Sequence, residues 1–212
     1  MTDMPDLPAA AFAKLDPTPD DRFYALPRFV THIDDQAIAA VTELYRATLP
    51  AGGTVLDLMS SWVSHLPDDR SYAAVIGHGM NAEELAANPR FANWFVQDLN
   101  ADPHLPLDRA SVDAATICVS VQYLQQPVAV LREVRRVLRP GGPVVVSFSN
   151  RCFPTKAVAI WGRLGGADRV QLVALYLQQA GFADIEAIDL VPEHGGSDPL
   201  HALVARAASA PD

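Results

Sequence analysis

Apolar residues recur every three or four positions in the segment after residue 33, and this spacing predicts an amphipathic helix. Asp34 precedes the pattern in the position of a helix cap, and residues 50–53, which read Pro-Ala-Gly-Gly, end it. The apolar face of this helix consists of Ala37, Ile38, Val41, Leu44 and Tyr45.

Short apolar runs without helical spacing follow along the chain and predict buried strands. They occupy residues 55–58, 72–77, 94–97, 112–119 and 143–148. The last run is the richest in β-branched residues, which favour strands because their side chains pack well on a pleated surface.

Helical patterns lie between these runs. Asn81 is placed to cap one helix, a second spans residues 127–138 and stops at an Arg-Pro-Gly-Gly turn, and a third ends at Gly181. Residues 185–191 and 200–205 are two further apolar runs with no helix between them, which predicts an antiparallel pair.

This alternation predicts an α/β fold. The expected architecture is a Rossmann-like, seven-stranded, mostly parallel sheet flanked by helices, with the last strand antiparallel. Ligands of such sheets bind beyond the carboxyl ends of the strands, where the strand order reverses. We therefore expect a ligand site formed by four loops, at residues 57–65, 77–81, 97–100 and 120–123.

Length and composition favour one domain. Half of the 212 residues are apolar, which is enough for one sizeable core. Residues 1–22 are rich in Pro, Asp and Ala without a sustained period, so we expect a mobile N-terminal arm. Residues 23–212 are then expected to form a single domain.

The charge balance and the apolar runs exclude several classes of partner. A formal net charge of −9 disfavours nucleic acid, because phosphate contacts need clustered Lys and Arg. No apolar run reaches the roughly 18 residues of a membrane span, and no basic-then-apolar segment opens the chain, so we expect a cytoplasmic protein without membrane contact. Cys118 and Cys152 lack metal-ligand spacing, so no metal is expected. The sequence does not indicate an oligomeric state.

Three segments carry a resemblance to a known family. They are the strand at 55–58, the Ser-Val-Asp-Ala of residues 111–114 and the Val-Arg-Arg-Val-Leu-Arg-Pro-Gly-Gly of residues 134–142. Over residues 34–206 the chain resembles the class I S-adenosylmethionine-dependent methyltransferases, in particular the small type 11 group. The resemblance implies the class I methyltransferase fold, S-adenosylmethionine as the cofactor and a small-molecule methyl acceptor.

The loop after the first strand departs from that family. Relatives carry glycines at alternating positions after Asp57, where this chain has Met59, Ser61 and Val63. Glycine allows positive φ angles and close approach of the backbone to a ligand, so we expect this loop to take a different path. Residues 57–67, Asp-Leu-Met-Ser-Ser-Trp-Val-Ser-His-Leu-Pro, resemble a subgroup with a glycine-poor cofactor loop.

The next two loops match the family in part. Gly79 stands where relatives have the acid that binds the ribose hydroxyls, with Asn81 as a neutral substitute, while His78 is expected in a solvated turn. Asp98 matches the acid that meets the adenine amino group, and Leu99 beside it is placed to pack on the ring. The candidate cofactor-binding residues are Asp57, Met59, Ser60, Ser61, Gly77, Gly79, Asn81, Asp98, Leu99 and Ser120.

Aromatic and polar residues near the same edge are candidates for acceptor binding and catalysis. The candidate catalytic residues are His65, Tyr123 and His32, since a histidine of near-neutral pKa can act as a base. The candidate substrate-binding residues are Tyr24, Arg28, Trp62, Gln122 and Arg151.

Structural roles are the alternatives for several of these residues. Asp57 either contacts the cofactor or caps a loop N–H, and Trp62 and His65 either meet a ligand or fill the space that glycines would leave. Arg28 either clamps a carboxylate or stays solvated. Lys156, which with Arg151 is a candidate for binding an anionic acceptor, has the same alternative.

Two functions of different classes follow. The first is an S-adenosylmethionine-dependent methyltransferase with a small-molecule acceptor. The second is a methyltransferase-like protein without catalysis that binds a ligand or a protein partner in the same crevice. A nicotinamide-dependent oxidoreductase is disfavoured because the first strand-to-helix turn lacks the G-x-G-x-x-G pattern.

Overall fold

The computed structural model describes residue 4 and residues 7–193 and 196–208. Its centre is a seven-stranded sheet with the strand order β3-β2-β1-β4-β5-β7-β6. The strands are β1 (Thr54–Leu58), β2 (Ala74–Gly79), β3 (Asn93–Val96), β4 (Ala114–Cys118), β5 (Pro143–Ser149), β6 (Phe182–Val191) and β7 (Leu200–Ala207).

Strand directions follow the predicted pattern. Strands β1 to β5 run parallel to one another, and β7 lies antiparallel between β5 and β6. The chain moves from β1 outward through β2 to β3, then returns to the other side of β1 with β4, so the order reverses between β1 and β4. The predicted fold class and its antiparallel final strands are confirmed.

The helices are α1 (Asp20–Phe23), α2 (Asp35–Thr48), α3 (Ala82–Ala87), α4 (Pro127–Val137) and α5 (Gly166–Gln179). Both predicted caps form: the Asp34 carboxylate accepts from the N–H of Ala37, and the Asn81 side chain accepts from the first turn of α3. Gly181 follows α5 with a φ of 84°, a left-handed conformation that glycine adopts at low cost.

Two hydrophobic cores cover the two faces of the sheet. The alternation along β5 makes this clear, since Val144 and Val146 pack with α4 and α5 while Val145 packs with α2. The helices therefore occupy both faces, and ligand access is left at the carboxyl edge of the strands.

The N-terminal segment packs against the domain. Phe12 is only 2% exposed, and the carbonyl of Ala13 accepts from the N–H of Ala159 at 2.8 Å. Lys156, a candidate for a solvated or anion-binding cation, is instead fully buried and forms ion pairs with Asp16 and Asp20. The described residues before Phe23 therefore show extensive contacts where a mobile arm was expected.

Among the residues that the structure describes, no helix combines the length and apolarity needed to cross a membrane.

Candidate functional site

A cavity of about 510 Å³ opens at the carboxyl edge of the sheet. This volume lies within the range of small-molecule sites. The loops after β1, β2, β3, β4 and β5 form its wall together with part of the N-terminal segment. The predicted site residues that line it are Tyr24, His32, Met59, Ser60, Ser61, Gly79, Asn81, Asp98, Leu99, Ser120, Tyr123 and Arg151.

Asp57 does not line the cavity, although it ends a strand at this edge. Its carboxylate accepts hydrogen bonds from the hydroxyls of Ser60 at 2.7 Å, Thr116 at 2.8 Å and Ser64. These donors satisfy a buried charge that would otherwise be costly. Asp57 therefore has structural contacts, although its donors are hydroxyls and not the loop N–H of the stated alternative.

Gly77 and Gln122 also lie outside the cavity wall. A Cβ on Gly77 would fall 2.2 Å from the ring of Phe91, so glycine makes room for that ring. The Gln122 amide donates to the carbonyl of Val119 at 2.7 Å. Val119 does line the cavity, with a φ of 44° that β-branched residues rarely adopt, so Gln122 supports a strained part of the wall.

The remaining predicted residues outside the cavity have structural contacts. Trp62 donates its indole N–H to the carbonyl of Val30 at 3.1 Å. Arg28 donates to the carbonyl of Phe23 at 2.8 Å and lies over that ring, with 4.6 Å between the guanidinium carbon and the ring centroid. His65 is partly buried, its carbonyl accepts from the hydroxyl of Thr42 at 3.0 Å, and desolvation lowers the pKa of its ring.

His78 organises the loop after β1, a role that the sequence did not indicate. Its Nδ1 accepts from the N–H of Met59 at 3.0 Å, and its carbonyl accepts from the N–H of Ser60 at 2.7 Å. Its Nε2 then carries the proton and donates to the carbonyl of Gln97 at 3.0 Å. Burial lowers the pKa of His78 to about 4, so the ring is neutral near pH 7. The expectation of a solvated turn is wrong, because His78 is a buried residue of β2.

This arrangement gives the glycine-poor loop its path. Met59 adopts a φ of 57°, the left-handed conformation that a glycine would allow without strain. The N–H groups of Met59 and Ser60 both donate to His78, so neither points at the cavity. At Met59 and Ser60 the loop therefore presents side chains to the cavity, and not backbone N–H groups.

Gly79 cannot carry the acid that relatives have at this position. A Cβ there would lie 2.5 Å from the carbonyl oxygen of Ser60, closer than real Cβ contacts come. Asn81, the predicted substitute, uses its oxygen to cap α3 and donates its amide to the carbonyls of Tyr24 and Ala25. Both polar ends of Asn81 are thus engaged by the protein.

The loop after β3 keeps the predicted geometry. Asp98 follows the strand by two residues and lines the cavity together with the buried Leu99. Its carboxylate accepts from the N–H of Asn100 at 2.9 Å, which uses one of several acceptor positions. Asp98 therefore remains able to accept from a ligand.

Aromatic rings form another part of the wall, centred on Phe153. The centroid of its ring lies 5.5 Å from that of His32, 6.0 Å from that of Tyr123 and 6.5 Å from that of Tyr24. All four side chains line the cavity. The Tyr123 hydroxyl also accepts from the N–H of Phe153 at 2.9 Å, which fixes the tyrosine relative to the loop after β5.

Two titratable groups of this wall differ in what they can do. Burial raises the pKa of Tyr123 to about 12, so its hydroxyl stays protonated near pH 7 and can donate. His32 is exposed at the cavity mouth, but desolvation by the groups around it lowers its pKa, so that ring is neutral near pH 7 and can accept a proton.

Several cavity residues were not among the predicted site residues. Glu84, Phe153 and Asp20 lie outside the predicted loops, whereas His78 and Asn100 lie within them but had no predicted ligand contact. Asp20 and Asn100 are joined by a hydrogen bond of 3.0 Å. Glu84 carried a partial signal, since a glutamate three residues after a cap indicated only a helix start. Within the described residues, no three His, Cys, Asp or Glu side chains are arranged to hold a metal ion.

The sheet order and the cavity define a class I methyltransferase fold, and comparisons with known proteins agree. A protein-family model described as a methyltransferase domain matches residues 60–146. The malonyl-[acyl-carrier protein] O-methyltransferase of Hahella chejuensis is 33% identical over 94 residues. The match covers 42% of this chain and 33% of that protein, so the chain spans about a third of the relative's length.

Solved structures share the fold at low identity. The [4+2]-cyclase SpnF matches with a TM-score of 0.65 at 17% identity, covering 90% of this chain and 92% of that one. Phosphoethanolamine N-methyltransferase 2 of Haemonchus contortus, in complex with S-adenosyl-L-methionine, matches with a TM-score of 0.59 at 13% identity, covering 81% and 52%. The predicted resemblance to the class I methyltransferases is confirmed, and the family match supports S-adenosylmethionine as the cofactor.

Proposed function

We propose that this protein is an S-adenosylmethionine-dependent methyltransferase that acts on a small-molecule acceptor. The observation that carries the proposal is the cavity itself. It lies at the carboxyl edge of a class I methyltransferase sheet, with Asp98 after β3 and an aromatic wall on the loops after β4 and β5. When bound, the cofactor supplies an activated methyl group.

Asp98 and Leu99 are the residues that we assign to the adenine. The carboxylate of Asp98 retains acceptor positions for an amino group, and Leu99 offers an apolar surface beside it. The side chains of Met59, Ser60 and Ser61 form the neighbouring wall. Side chains therefore recognise the cofactor in this part of the site, because two backbone N–H groups of the loop after β1 already donate to His78.

The aromatic wall is assigned to the acceptor. Methyl transfer needs an acceptor held in line with the donor, and positioning supplies much of the rate enhancement. Tyr24, Tyr123 and Phe153 provide flat apolar surfaces for this purpose. For an acceptor that must lose a proton, neutral His32 is the base of this wall, while Tyr123 is a hydrogen-bond donor.

Calorimetric titration with S-adenosylmethionine and S-adenosylhomocysteine tests the proposal, after removal of any copurified ligand. We expect micromolar binding. Asp98→Ala should weaken it on the order of tenfold or more, because a hydrogen bond to a charged group contributes about 1.5–3 kcal/mol. Asp98→Asn keeps one acceptor and serves as the matched variant, with an intermediate loss. Absence of binding at millimolar cofactor would contradict the proposal, and unchanged binding by Asp98→Ala would remove that residue from the site.

One observation favours the second candidate function, a non-catalytic protein that binds a ligand or partner in the same crevice. Ser60 occupies the space that an acidic side chain at residue 79 would need, and Asn81 is engaged elsewhere. A protein of the same fold is named a [4+2]-cyclase, so the fold alone does not specify methyl transfer. Transfer of a labelled methyl group to a panel of phenols, amines and carboxylates distinguishes the two functions. Cofactor binding without transfer to any acceptor favours the second.

A further inference from the structure

Glu84 is a buried carboxylate in the cavity wall. It lies on α3 and is 9% exposed. One oxygen accepts from the backbone N–H of Arg28 at 2.6 Å, and the other accepts from the hydroxyl of Ser61 at 2.5 Å. Among the described residues, no Lys, Arg or His side chain forms an ion pair with it.

The hydrogen-bonding capacity of this carboxylate is only half used. An ionised carboxylate has about four acceptor positions, and two donors are in place. A buried charge without a cation is costly unless further donors reach it. Each oxygen of Glu84 retains one acceptor position, which suits two neutral donors that are close together.

The other two acids of the described cavity wall, Asp20 and Asp98, already have a partner or an assigned ligand contact. Asp20 is paired with Lys14 and Lys156 and also accepts from the amide of Asn100. Asp98 lies on the loop after β3, at the position assigned to the adenine. Glu84 is thus the acid of the described cavity wall that has neither a cationic partner nor an assigned contact.

The strand order places Glu84 and Asp98 on the wall of the same cavity. Strands β2 and β3 are paired, with Gly79 opposite Val96, and α3 begins shortly after β2. Neighbouring strands are about 4.8 Å apart, so groups that follow β2 and β3 can contact different parts of one nucleoside. A nucleoside whose base contacts Asp98 can therefore extend toward the β2 side of the cavity, where Glu84 of α3 forms part of the wall.

We infer that Glu84 accepts hydrogen bonds from the two adjacent hydroxyls of a bound nucleoside ribose. The inference rests on the proposed function, since it assumes a nucleoside in this cavity. It assigns to a helix residue the recognition that Gly79 cannot provide, because Ser60 blocks any side chain there. Ser61 and the backbone of Arg28 hold the carboxylate in position.

The test combines a change in the protein with a change in the ligand. Calorimetry measures binding of S-adenosylhomocysteine and its 2′-deoxy and 3′-deoxy analogues to the wild type, Glu84→Gln and Glu83→Gln. Glu83 is the exposed neighbour on α3, so its variant controls for the loss of one negative charge. Thermal unfolding of each variant checks that the fold is retained.

We expect the deoxy analogues and Glu84→Gln each to weaken binding about tenfold or more in isolation, while Glu83→Gln has no effect. Removing a ribose hydroxyl from the ligand should weaken binding to Glu84→Gln clearly less than binding to the wild type, because the carboxylate that accepts from this hydroxyl is already absent from the variant. Equal losses in both proteins would overturn the inference. So would equal affinity of the wild type for the ribose and deoxy ligands, a result that needs no variant to fold. Failure of the wild type to bind S-adenosylhomocysteine would overturn the proposed function together with this inference.

Discussion

Single residues set the path of the loop after β1, and His78 is the most important of them. It joins the ends of three neighbouring strands, since its hydrogen bonds reach Met59 after β1 and Gln97 after β3 from its own position in β2. These bonds require a neutral ring with the proton on Nε2. Protonation of Nδ1 would remove the acceptor for the N–H of Met59.

Acid should therefore destabilise the protein through His78. Its pKa is about 4 in the folded state and 6.5 in the unfolded state, so the unfolded state binds more protons between these values. The free energy of unfolding then falls as the pH falls through this window, by roughly 3 kcal/mol for this group. His78→Gln keeps a donor and an acceptor but cannot be protonated, so its urea midpoint should change less between pH 6.5 and 4.

The comparison isolates His78 because His32 and His65, whose pKa values are also lowered, remain in both proteins. An identical pH dependence in the two proteins would contradict the role assigned to the ring.

Gly79 should be intolerant of any side chain. The Cβ of an alanine would meet the Ser60 carbonyl at 2.5 Å, and backbone atoms cannot move aside as a flexible side chain can. We expect Gly79→Ala to lower the free energy of unfolding by about 1–3 kcal/mol. Gly162→Ala is the control, since its Cβ would meet nothing within 4 Å. Urea unfolding measures both, and equal stability of the two variants would show that the loop yields easily.

At the scale of elements, the N-terminal segment is held by buried charges as well as by apolar contacts. Lys156 is fully buried and reaches Asp16 at 3.1 Å, Asp20 at 3.4 Å and the carbonyl of Thr18 at 2.6 Å. Asp20 also pairs with Lys14. These partners are more than a hundred residues from Lys156 in sequence, so local periodicity could not reveal the contact.

Removing the Lys156 ammonium should loosen this segment. Lys156→Met leaves Asp16 without its cation and Asp20 with Lys14 alone, so we expect a lower free energy of unfolding. Hydrogen exchange should then speed up at the N–H groups of Asp16 and Ala159, which join the segment to the domain. Arg22→Gln, a change at an exposed cation, is the control. Equal unfolding free energies for the two variants would contradict a stabilising role for Lys156.

At the scale of the whole molecule, the order of strands and helices could be predicted from the sequence, because helices carry the period of one buried face and buried strands appear as short continuous apolar runs. The edge of the sheet that holds the cavity followed from the same alternation. Individual contacts were predicted less well. Asp98 lies where its place after a strand indicated, but Asp57 accepts from Thr116 of β4, and Gly77 makes room for the ring of Phe91.

The difference has a physical cause. A residue's position along a strand fixes which edge it reaches, but its partners depend on side chains brought in by other segments. His78 became buried because Gln97 and Met59 satisfy both of its ring nitrogens, and neither partner is near it in sequence. Glu84 follows the predicted cap Asn81 by three residues and so indicates a helix start, yet its oxygens bind the N-terminal segment and the loop after β1.

The capture of two loop N–H groups by His78 also bears on how this protein can diverge. Ligand hydrogen bonds from the main chain survive most substitutions, because every residue except proline carries the same N–H. Ligand hydrogen bonds to Asp98, Glu84 and serine hydroxyls can each be lost or changed by a single substitution. Orthologues of this chain should therefore drift in ligand preference while keeping the same sheet, and the cavity wall should vary more between them than the strands beneath it.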